Sequence, residues 1–489
     1  MSQKTRVIYV SAELHPFAKS GELADVASSL PKYLSDLGME VFVFMPKYRN
    51  PEIESFPLER VLQELPVPLG AEKVKASVYK GELGKYEIYF IDNPKYFWRD
   101  SVYGTGKGEY LDNDERFIFF SRSVLEYLLK SKMPVDIIHC NSWPTALIPV
   151  FLKTRYSQSS QFKKTATVFT LHNIVYQGTF PPESFSLTGL NWNYFTPDQL
   201  SFNGKFNFLK AGMVFADVLN TVSSSYRREI QTVKHGCGLQ GILKSRQNVL
   251  FSIRNGVDYE IWNPETDPYI MAHYSPKDIK GKKRCKLDLI QEFGLSLSPR
   301  TALMGIVSYM SAQKGFDLLL EALDELMKMN VGLVVLGKGD EKYENLLLEA
   351  QRKHPKKMAV KFEFSQALTH KIAAGADIFL IPSLYEPCGL NQLYSFKYGT
   401  VPVVRATGGL GETVKPFDLK TRKGNGFVFK EYSTRSLLQT IKQTLDCYKK
   451  PDIWKRIMQA GFRENFSWQT AAKKYARLYH NALQKRRGG

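Results

Sequence analysis

The 489-residue sequence predicts an α/β protein with two Rossmann-like, doubly wound domains facing each other across a cleft. Three observations carry that expectation. Short β-rich runs alternate with helical patterns in the first half, and a second such series runs from about residue 301 to 409. The strand-like runs are nearly continuous in apolar residues and end in polar ones, as buried parallel strands do. A stretch rich in Asn, Gly, Pro and Asp, 252–267, separates the two series as a linker would.

In the first series, "RVIYVSA" reads as a strand, "LADVASSLPKYLSDLG" as a helix and "EVFVFMP" as a second strand. "VDIIHCN" (135–141) and "ATVFTLHN" (166–173) follow, and "ADVLNTVSSSYRREI" gives a strand running into a helix. The second series opens with "TALMGIVSY", "GFDLLLEALDELMKM" and "VGLVVLGKG", and alternates through "ADIFLIPS" and "GLNQLYSFKYG" to "VPVVRATGG". "WQTAAKKYARLYHNALQKRR" is an amphipathic C-terminal helix. Ligands of such sheets sit beyond the carboxyl ends of the strands, and domain interfaces are where small-molecule sites are most expected.

Composition narrows the class. The chain is 43% hydrophobic and 24% charged, the profile of an ordinary globular protein, and no apolar stretch is long enough to span a bilayer. The N-terminus runs directly into a strand-like segment, so neither a signal nor a transit peptide is expected. Five scattered cysteines without CxxC spacing point to a reducing compartment and away from a structural metal site. The net charge of +19 is spread over several runs, "KDIKGKKRCK", "RKHPKK" and the tail among them, with no nucleic-acid-binding motif beside them. It reads chiefly as solvated surface, and neither nucleic acid nor membrane is an expected partner.

The most specific string is "PSLYEPCGLNQLYSFKYGTVPVVRATGGLGETV" (382–414). It places Glu386 in a turn between a strand and a helix start, where free amides can hold an anion and a carboxylate can accept hydroxyl hydrogen bonds from a sugar. Read alone, Glu386 serves equally as a helix cap. A second turn, Thr407-Gly408-Gly409, can again expose amides to phosphate. Lys314, in the loop of "IVSYMSAQKGFDLLLEAL", can act as a point charge on a diphosphate, although a lone lysine there is more often solvated.

Taken together, the strings "SAELHPFAKSGELADV", "YGTGKGEYLDNDERF", "DIIHCNSW", "FTLHNIVYQG", "RNGVDYEIWNP", "AQKGFDLLLEAL" and "AGADIFLIPSLYEPCGLNQLYSFKYGT" resemble the bacterial glycogen synthases and plant starch synthases, nearly end to end. The resemblance implies a GT-B fold and a retaining hexosyltransferase. Such an enzyme moves glucose from ADP-glucose to the 4-OH at the non-reducing end of an α-1,4-glucan, glycogen or starch. It implies an N-terminal starch synthase catalytic domain over 1–252, on the acceptor side, and a donor-side domain over 253–463. A C-terminal helix, 464–489, would pack back on the first domain. Cytoplasm, or the plastid stroma for a mature plant protein, is the implied location.

Carried over residue by residue, the resemblance places Lys19 and Gly21 in the family's Lys-X-Gly-Gly-Leu loop and His172 beside the transferred glucose. Asn255 falls in the matching "NGVD", and Lys314 contacts the donor diphosphate. Glu386, Cys388, Gly389 and Leu390 surround the glucose and distal phosphate, while Thr407, Gly408 and Gly409 complete the donor side. Tyr103, Trp143 and Asn173 fall on the acceptor side. Glu386, His172 and Lys314 are the implied catalytic residues, with neither metal nor cofactor.

The sequence also departs from that pattern. Glu22 stands where the family loop has its second glycine: turned inward, the slightly favoured reading, it adds negative charge beside the diphosphate, and turned outward it is an acidic residue in the first helical turn, a favourable site. Tyr309 replaces an arginine that would share the phosphates with Lys314, Ser142 an aspartate, and Leu384 an arginine. Phe364 for tyrosine and Glu412 for aspartate are milder. Each lost charged partner costs about 1.5–3 kcal/mol. The alternative to a working synthase is therefore a catalytically weak paralogue that binds glucan or regulates a partner.

Overall fold

The computed structural model describes residues 4–105 and 108–488. Gly106 and Lys107 of the "YGTGKGEY" motif, and the last residue of the basic tail, lie outside them. The chain divides into two compact units. The first comprises Met1–Val222, Arg227–Gly256 and Trp468–Gly489; the second comprises Ser223–Tyr226 and Val257–Ser467.

Among the described residues, the main sheet of the first unit has nine strands. They are β1 (Arg6–Val10), β2 (Glu40–Pro46), β3 (Glu59–Leu69), β4 (Glu72–Leu83), β5 (Tyr86–Asp92), β6 (Ile137–Asn141), β7 (Ala166–Leu171), β8 (Val218–Thr221) and β9 (Leu250–Ser252). Their spatial order is β9-β8-β7-β6-β1-β2-β5-β4-β3. All neighbours are parallel except β4, which runs antiparallel to β3 and β5. Every residue of β6 and β7 is buried, which explains why both are largely apolar. The chain leaves β1 toward β2 on one side and returns to β6 on the other, so the topological switch point lies between β1 and β6.

Helix α1 (Glu22–Asp36) follows β1 and buries Leu23, Val26, Ala27, Leu30 and Leu34, an apolar stripe at helical spacing. The C-terminal helix, Trp468–Gly488, belongs to this unit. Its Tyr475 and Tyr479 are fully buried. The Tyr479 hydroxyl lies 2.7 Å from His139 Nδ1 on β6, and Asn220 Nδ2 on β8 donates to Tyr475 Oη at 3.1 Å. Two tyrosines thus anchor the helix through polar tips as well as apolar rings.

The second unit is a six-stranded, all-parallel sheet among the described residues. Its strands are β10 (Ala302–Val307), β11 (Val331–Leu336), β12 (Met358–Lys361), β13 (Ile378–Ile381), β14 (Val401–Arg405) and β15 (Phe427–Phe429). Their order is β12-β11-β10-β13-β14-β15. Numbered within the unit this is 3-2-1-4-5-6, the Rossmann arrangement, with its switch point between β10 and β13.

The segment 252–267 is not a plain linker. Asn255, Asp258 and Asp267 are buried, and the Trp262 ring stacks between His370 and Tyr394 at 3.9 and 3.7 Å. Its turn-forming residues hold the backbone from within. Asp258, Asn263 and Asp267 each accept the N–H two residues ahead, from Glu260, Glu265 and Tyr269. The composition of a loop thus serves a packed, irregular segment.

One buried cation makes the second unit's stability depend on pH. Lys282 is almost wholly enclosed and donates to Ala374 O at 2.8 Å and Thr400 Oγ1 at 2.7 Å. Burial pushes its pKa down to about 8, against the opposing charge of Asp377. Between that value and the unfolded one near 10.4, the unfolded chain binds more protons, so stability rises with pH across this window. Urea melts of Lys282→Met should lose this alkaline rise, worth up to about 3 kcal/mol, relative to the parent chain.

Candidate active site

In the second unit, Lys314 and Glu386 come together at the switch point. Lys314 ends a 3-10 turn (Ala312–Lys314) after β10, and Glu386 lies in the loop after β13. Lys314 Nζ donates to Glu386 Oε1 at 3.0 Å and Oε2 at 2.8 Å, and Ser383 Oγ donates to Oε2 at 3.1 Å. The Lys314 side chain is 22% exposed and that of Glu386 5%. Lys314 is therefore not a solvated surface lysine. Nor does Glu386 cap the following helix (Asn391–Lys397), whose N-cap is Leu390 without a side-chain capping bond. The two loops are joined by Leu384 N–H to Gln313 O at 2.8 Å, and Asn391 Nδ2 donates to Val307 O at 2.8 Å.

A third loop closes on this pair. Thr407, buried, precedes the short helix Gly408–Thr413 after β14. Gly409 N–H donates to Glu386 O at 3.1 Å. A Cβ on Gly408 would stand 1.9 Å from Glu386 O, and one on Gly409 1.9 Å from Cys388 O. The "TGG" turn is glycine because backbone packs on backbone there. Cys388 is buried, Gly389 takes φ +68°, and Gln392 Nε2 donates to both their carbonyls. Leu390 is a member of an apolar cluster with Val257, Leu393 and Leu410.

Several departures acquire a physical setting. Tyr309 is 48% exposed, and its hydroxyl donates to Asp340 Oδ1 at 3.3 Å. Leu384 is exposed on the Glu386 loop, but Arg405, from the end of β14, brings a guanidinium to the same turn. Its Nε donates to Ser383 O at 2.9 Å, and its Nη2 donates to Leu384 O. Sequence reasoning passed over Arg405 because it sits in a strand end, far along the chain from the carbonyls of 383 and 384 that it reaches. Phe364 is strongly exposed in the loop after β12. Glu412 Oε2 accepts from Ser224 N and Oγ, both at 2.9 Å, and from Ser225 N at 3.3 Å, residues that belong with this second unit.

In the first unit, the loop after β1 is organised by Glu13, a residue assigned no role from sequence. Its buried carboxylate accepts from Ser20 N at 2.7 Å and Gly21 N at 3.1 Å through Oε2, and from Tyr103 Oη at 2.9 Å through Oε1. Gly21 is extended, and a Cβ there would meet nothing within 4 Å. Glu22 is the first residue of α1, so its backbone is helical and position 22 does not require the positive φ of a glycine. Lys19 Nζ donates to both Asp25 oxygens, at 2.7 and 2.8 Å.

The ends of β6 and β7 bring His172 to Asn141. His172 Nε2 lies 3.0 Å from Asn141 Oδ1, which also accepts from Tyr9 Oη at 3.1 Å, while Asn141 Nδ2 donates to Val10 O at 3.0 Å. With Oδ1 as acceptor, Nε2 of His172 carries the proton. Burial pushes the His172 pKa down to about 3, so the imidazole is neutral through the physiological range. Asn173 Oδ1 accepts from Val175 N at 3.1 Å. Ser142 takes φ +58° and ψ −179°, a region close to glycine-only, directly between Asn141 and Trp143. Trp143 is buried edge-on against Phe117 at 4.9 Å and near Tyr103 at 5.7 Å. Asn255 is buried, and among the described residues its Oδ1 has no hydrogen-bond partner. Among the described residues, no group of three His, Cys, Asp or Glu is placed to hold a metal ion.

Each unit thus gathers its candidate residues at strand carboxyl ends, and the second couples a lysine, a carboxylate and a glycine turn as glycosyltransferases of the GT-B class do. The comparisons agree with that class. Residues 6–245 match the starch synthase catalytic domain model, and 291–460 match glycosyl transferases group 1. The chain is 45% identical over 483 residues to the glycogen synthase of Koribacter versatilis, covering 98% of this chain and 99% of that one. It is 43% identical over 487 residues to that of Thermotoga maritima, with 98% and 99% covered. The catalytic domain of starch synthase IV from Arabidopsis thaliana, bound to ADP and acarbose, superposes with a TM-score of 0.92 at 31% identity, covering 99% and 100%. A sucrose-phosphate synthase from Thermosynechococcus elongatus, at 14% identity and a TM-score of 0.61, shares the fold. The chain belongs to the glycogen synthase and starch synthase family of glycosyltransferases.

The histidines predict an acid-sensitive fold. His139, fully buried, has its pKa pushed down to about 3 by burial and, second, by His172. The unfolded chain protonates it near pH 6.5, so stability falls as pH drops from there toward 3. The slope reaches about 1.4 kcal/mol per pH unit for this residue. Chemical unfolding of His139→Gln at about pH 6 and pH 4 should show a shallower loss than the parent chain.

Proposed function

We propose that the protein transfers glucose from ADP-glucose, with retention, to the 4-OH at the non-reducing end of an α-1,4-glucan. The observation that carries this reading is the Lys314–Glu386 pair at the switch point of the second unit, beside the Gly408–Gly409 turn. The relatives named glycogen synthase support the reaction, and the ADP and acarbose of the plant starch synthase structure support a nucleotide donor and a glucan acceptor. The paralogue alternative is not favoured. The chain aligns nearly end to end with those relatives, and Lys19, His172, Lys314 and Glu386 fall in the strings by which its sequence resembles the family.

In this reading Lys314 has two partners in succession. Without donor, its ammonium neutralises the buried Glu386 carboxylate. With donor bound, the same ammonium meets the diphosphate, whose charge grows as the glucosyl bond breaks, and Glu386 is released to accept hydroxyl hydrogen bonds from the sugar. Arg405 adds a fixed cation beside the 383–384 turn. Cys388, Gly389, Leu390, Thr407, Gly408 and Gly409 shape the donor pocket, with Tyr309 at its exposed edge. The first unit offers Lys19, Gly21 and Asn255 as its own donor contacts, a neutral His172 for the glucose, and Tyr103, Trp143 and Asn173 as its acceptor side. A neutral histidine donates or accepts hydrogen bonds without adding positive charge next to an oxocarbenium-like centre.

Incorporation of labelled glucose from ADP-glucose into glycogen tests the reading. Lys314→Ala and Glu386→Ala should each lower kcat/KM by about 10- to 100-fold or more, the size of a charged hydrogen bond. Wild-type rates in either variant would remove that residue from the mechanism. No transfer by the parent chain from either ADP- or UDP-glucose would sink the proposal.

The departures predict a weakened diphosphate site that can be strengthened. Glu22→Gly combined with Tyr309→Arg removes one negative and adds one positive charge, and should tighten ADP by about 2–4 kcal/mol in total. Calorimetry across salt concentrations checks this, since regained charge pairing is salt-sensitive. An unchanged dissociation constant would mean that Glu22 does not face the anion and that Asp340 captures the new arginine.

A further inference from the structure

At the switch point of the first unit, one side chain bridges the strands that part there. Asn141 is the last residue of β6, pairs in register with Thr170 of β7 and is fully buried. An amide so enclosed needs partners for both its oxygen and its nitrogen. Its Nδ2 donates to Val10 O, on the last residue of β1, at 3.0 Å. A main-chain carbonyl can only accept, so the nitrogen is the end of the amide that faces β1. The oxygen is then the end that accepts from Tyr9 Oη at 3.1 Å and meets His172 Nε2 at 3.0 Å.

The orientation of this amide decides the state of the imidazole. An acceptor against Nε2 places the ring proton there, and a neutral ring then carries its lone pair on Nδ1. His172 follows directly on β7 and is only partly buried, and among the described residues its Nδ1 has no hydrogen-bond partner. The ring therefore presents an open acceptor. Its titratable neighbours are Tyr9 on β1 and His139 on β6, both fully buried. Burial pushes the Tyr9 phenol well above its usual range and the His139 imidazole down to about 3, so both are uncharged near neutrality. Among the described residues, no charged side chain pairs with His172 or Asn141.

We propose that Asn141 is a positioning residue for glucose transfer: oriented by β1, it holds His172 in the Nε2–H tautomer and keeps the Nδ1 lone pair available to a sugar hydroxyl. The inference rests on the reading of His172 as the residue offered to the glucose. The opposite tautomer would set the Nε2 lone pair against Asn141 Oδ1, two acceptors facing each other in a dry site. An aspartate at 141 would accept equally well, but its charge would draw a second proton onto the ring. An imidazolium there would stand beside a glucosyl centre that is itself becoming positive. The amide accepts without that charge, which is what the site requires of position 141.

The test is nitrogen NMR of the isotope-labelled histidine rings in the full chain, with His172→Gln identifying the His172 signals, followed by glucose transfer against pH. The parent chain should show the Nε2–H tautomer from about pH 6 to pH 8, with no titration of His172 in that range. Asn141→Asp should raise the His172 midpoint into the range, and its kcat/KM should fall about tenfold per pH unit below that midpoint while the parent profile stays flat. Asn141→Ala, which leaves Nε2 without its acceptor, should populate the Nδ1–H tautomer and lower kcat at every pH. An Nδ1–H tautomer in the parent chain overturns the proposal whatever the variants do. So does an Asn141→Asp profile that matches the parent's. A parent chain that transfers no glucose overturns the functional reading and this role with it, whereas transfer by the parent with either of the two preceding results overturns the role of Asn141 alone.

Discussion

The carboxylate of Glu386 sets the arrangement around it. A charge in a site 4% exposed is tolerated only when paired and hydrogen-bonded. Two loops supply what it needs, because Lys314 follows β10 while Ser383 shares the loop after β13. Only the reversal of strand order at the switch point makes those two loops neighbours. The main chain of the same residue constrains a third loop, since its carbonyl accepts Gly409 N–H at a separation that leaves no room for side chains at 408 and 409. One charged group thus explains a lysine, a serine and a glycine pair drawn from three separate stretches of sequence.

The first unit solves a similar problem with different partners. Glu13 also lies in a strand-end loop and is also buried, but two loop amides and a tyrosine hydroxyl satisfy it. Amide dipoles stabilise a carboxylate without cancelling its charge, and the nearby ammonium of Lys19 is held by Asp25 instead. The two sites therefore differ in what an incoming anion meets. At Glu386 it meets a cation whose partner can be exchanged, whereas at Glu13 it meets amides that a carboxylate already occupies.

Much of the architecture was legible because parallel strands buried on both faces leave unmistakable apolar runs, as in "VDIIHCN" and "VGLVVLGKG". Residues 59–83 carried no such mark. Strand β3 alternates exposed and buried positions and includes Pro66 and Pro68, as befits a sheet edge, so its pattern is weak. Residues 252–267 misled for the opposite reason, since Asn and Asp make the same local turns whether a segment is exposed or packed. Within the site, Lys314 and Glu386 were singled out by their strand-to-helix turns and assigned roles by the family resemblance, but their mutual ion pair was not foreseen. It depends on strand order, which no local pattern encodes. Glu13 and Arg405 were missed because what each serves, the amides of Ser20 and Gly21 and the carbonyls of Ser383 and Leu384, is backbone, which carries no residue signature.

That last point changes how the substitutions are weighed. Position by position, Tyr309 and Leu384 read as two lost cations beside a diphosphate. In three dimensions the 383–384 turn still carries a guanidinium, delivered from β14 by Arg405, which is oriented by those carbonyls and lies 5.5 Å from the Tyr432 ring. Because Coulomb energy depends on where charge sits and not on which residue carries it, a cation from an adjacent strand offsets part of the loss at 384. The exposed Tyr309 hydroxyl instead donates to Asp340, an acid. The two departures are therefore unequal: the change at 384 is partly compensated within the fold, while the change at 309 leaves Asp340 without the positive neighbour an arginine would supply.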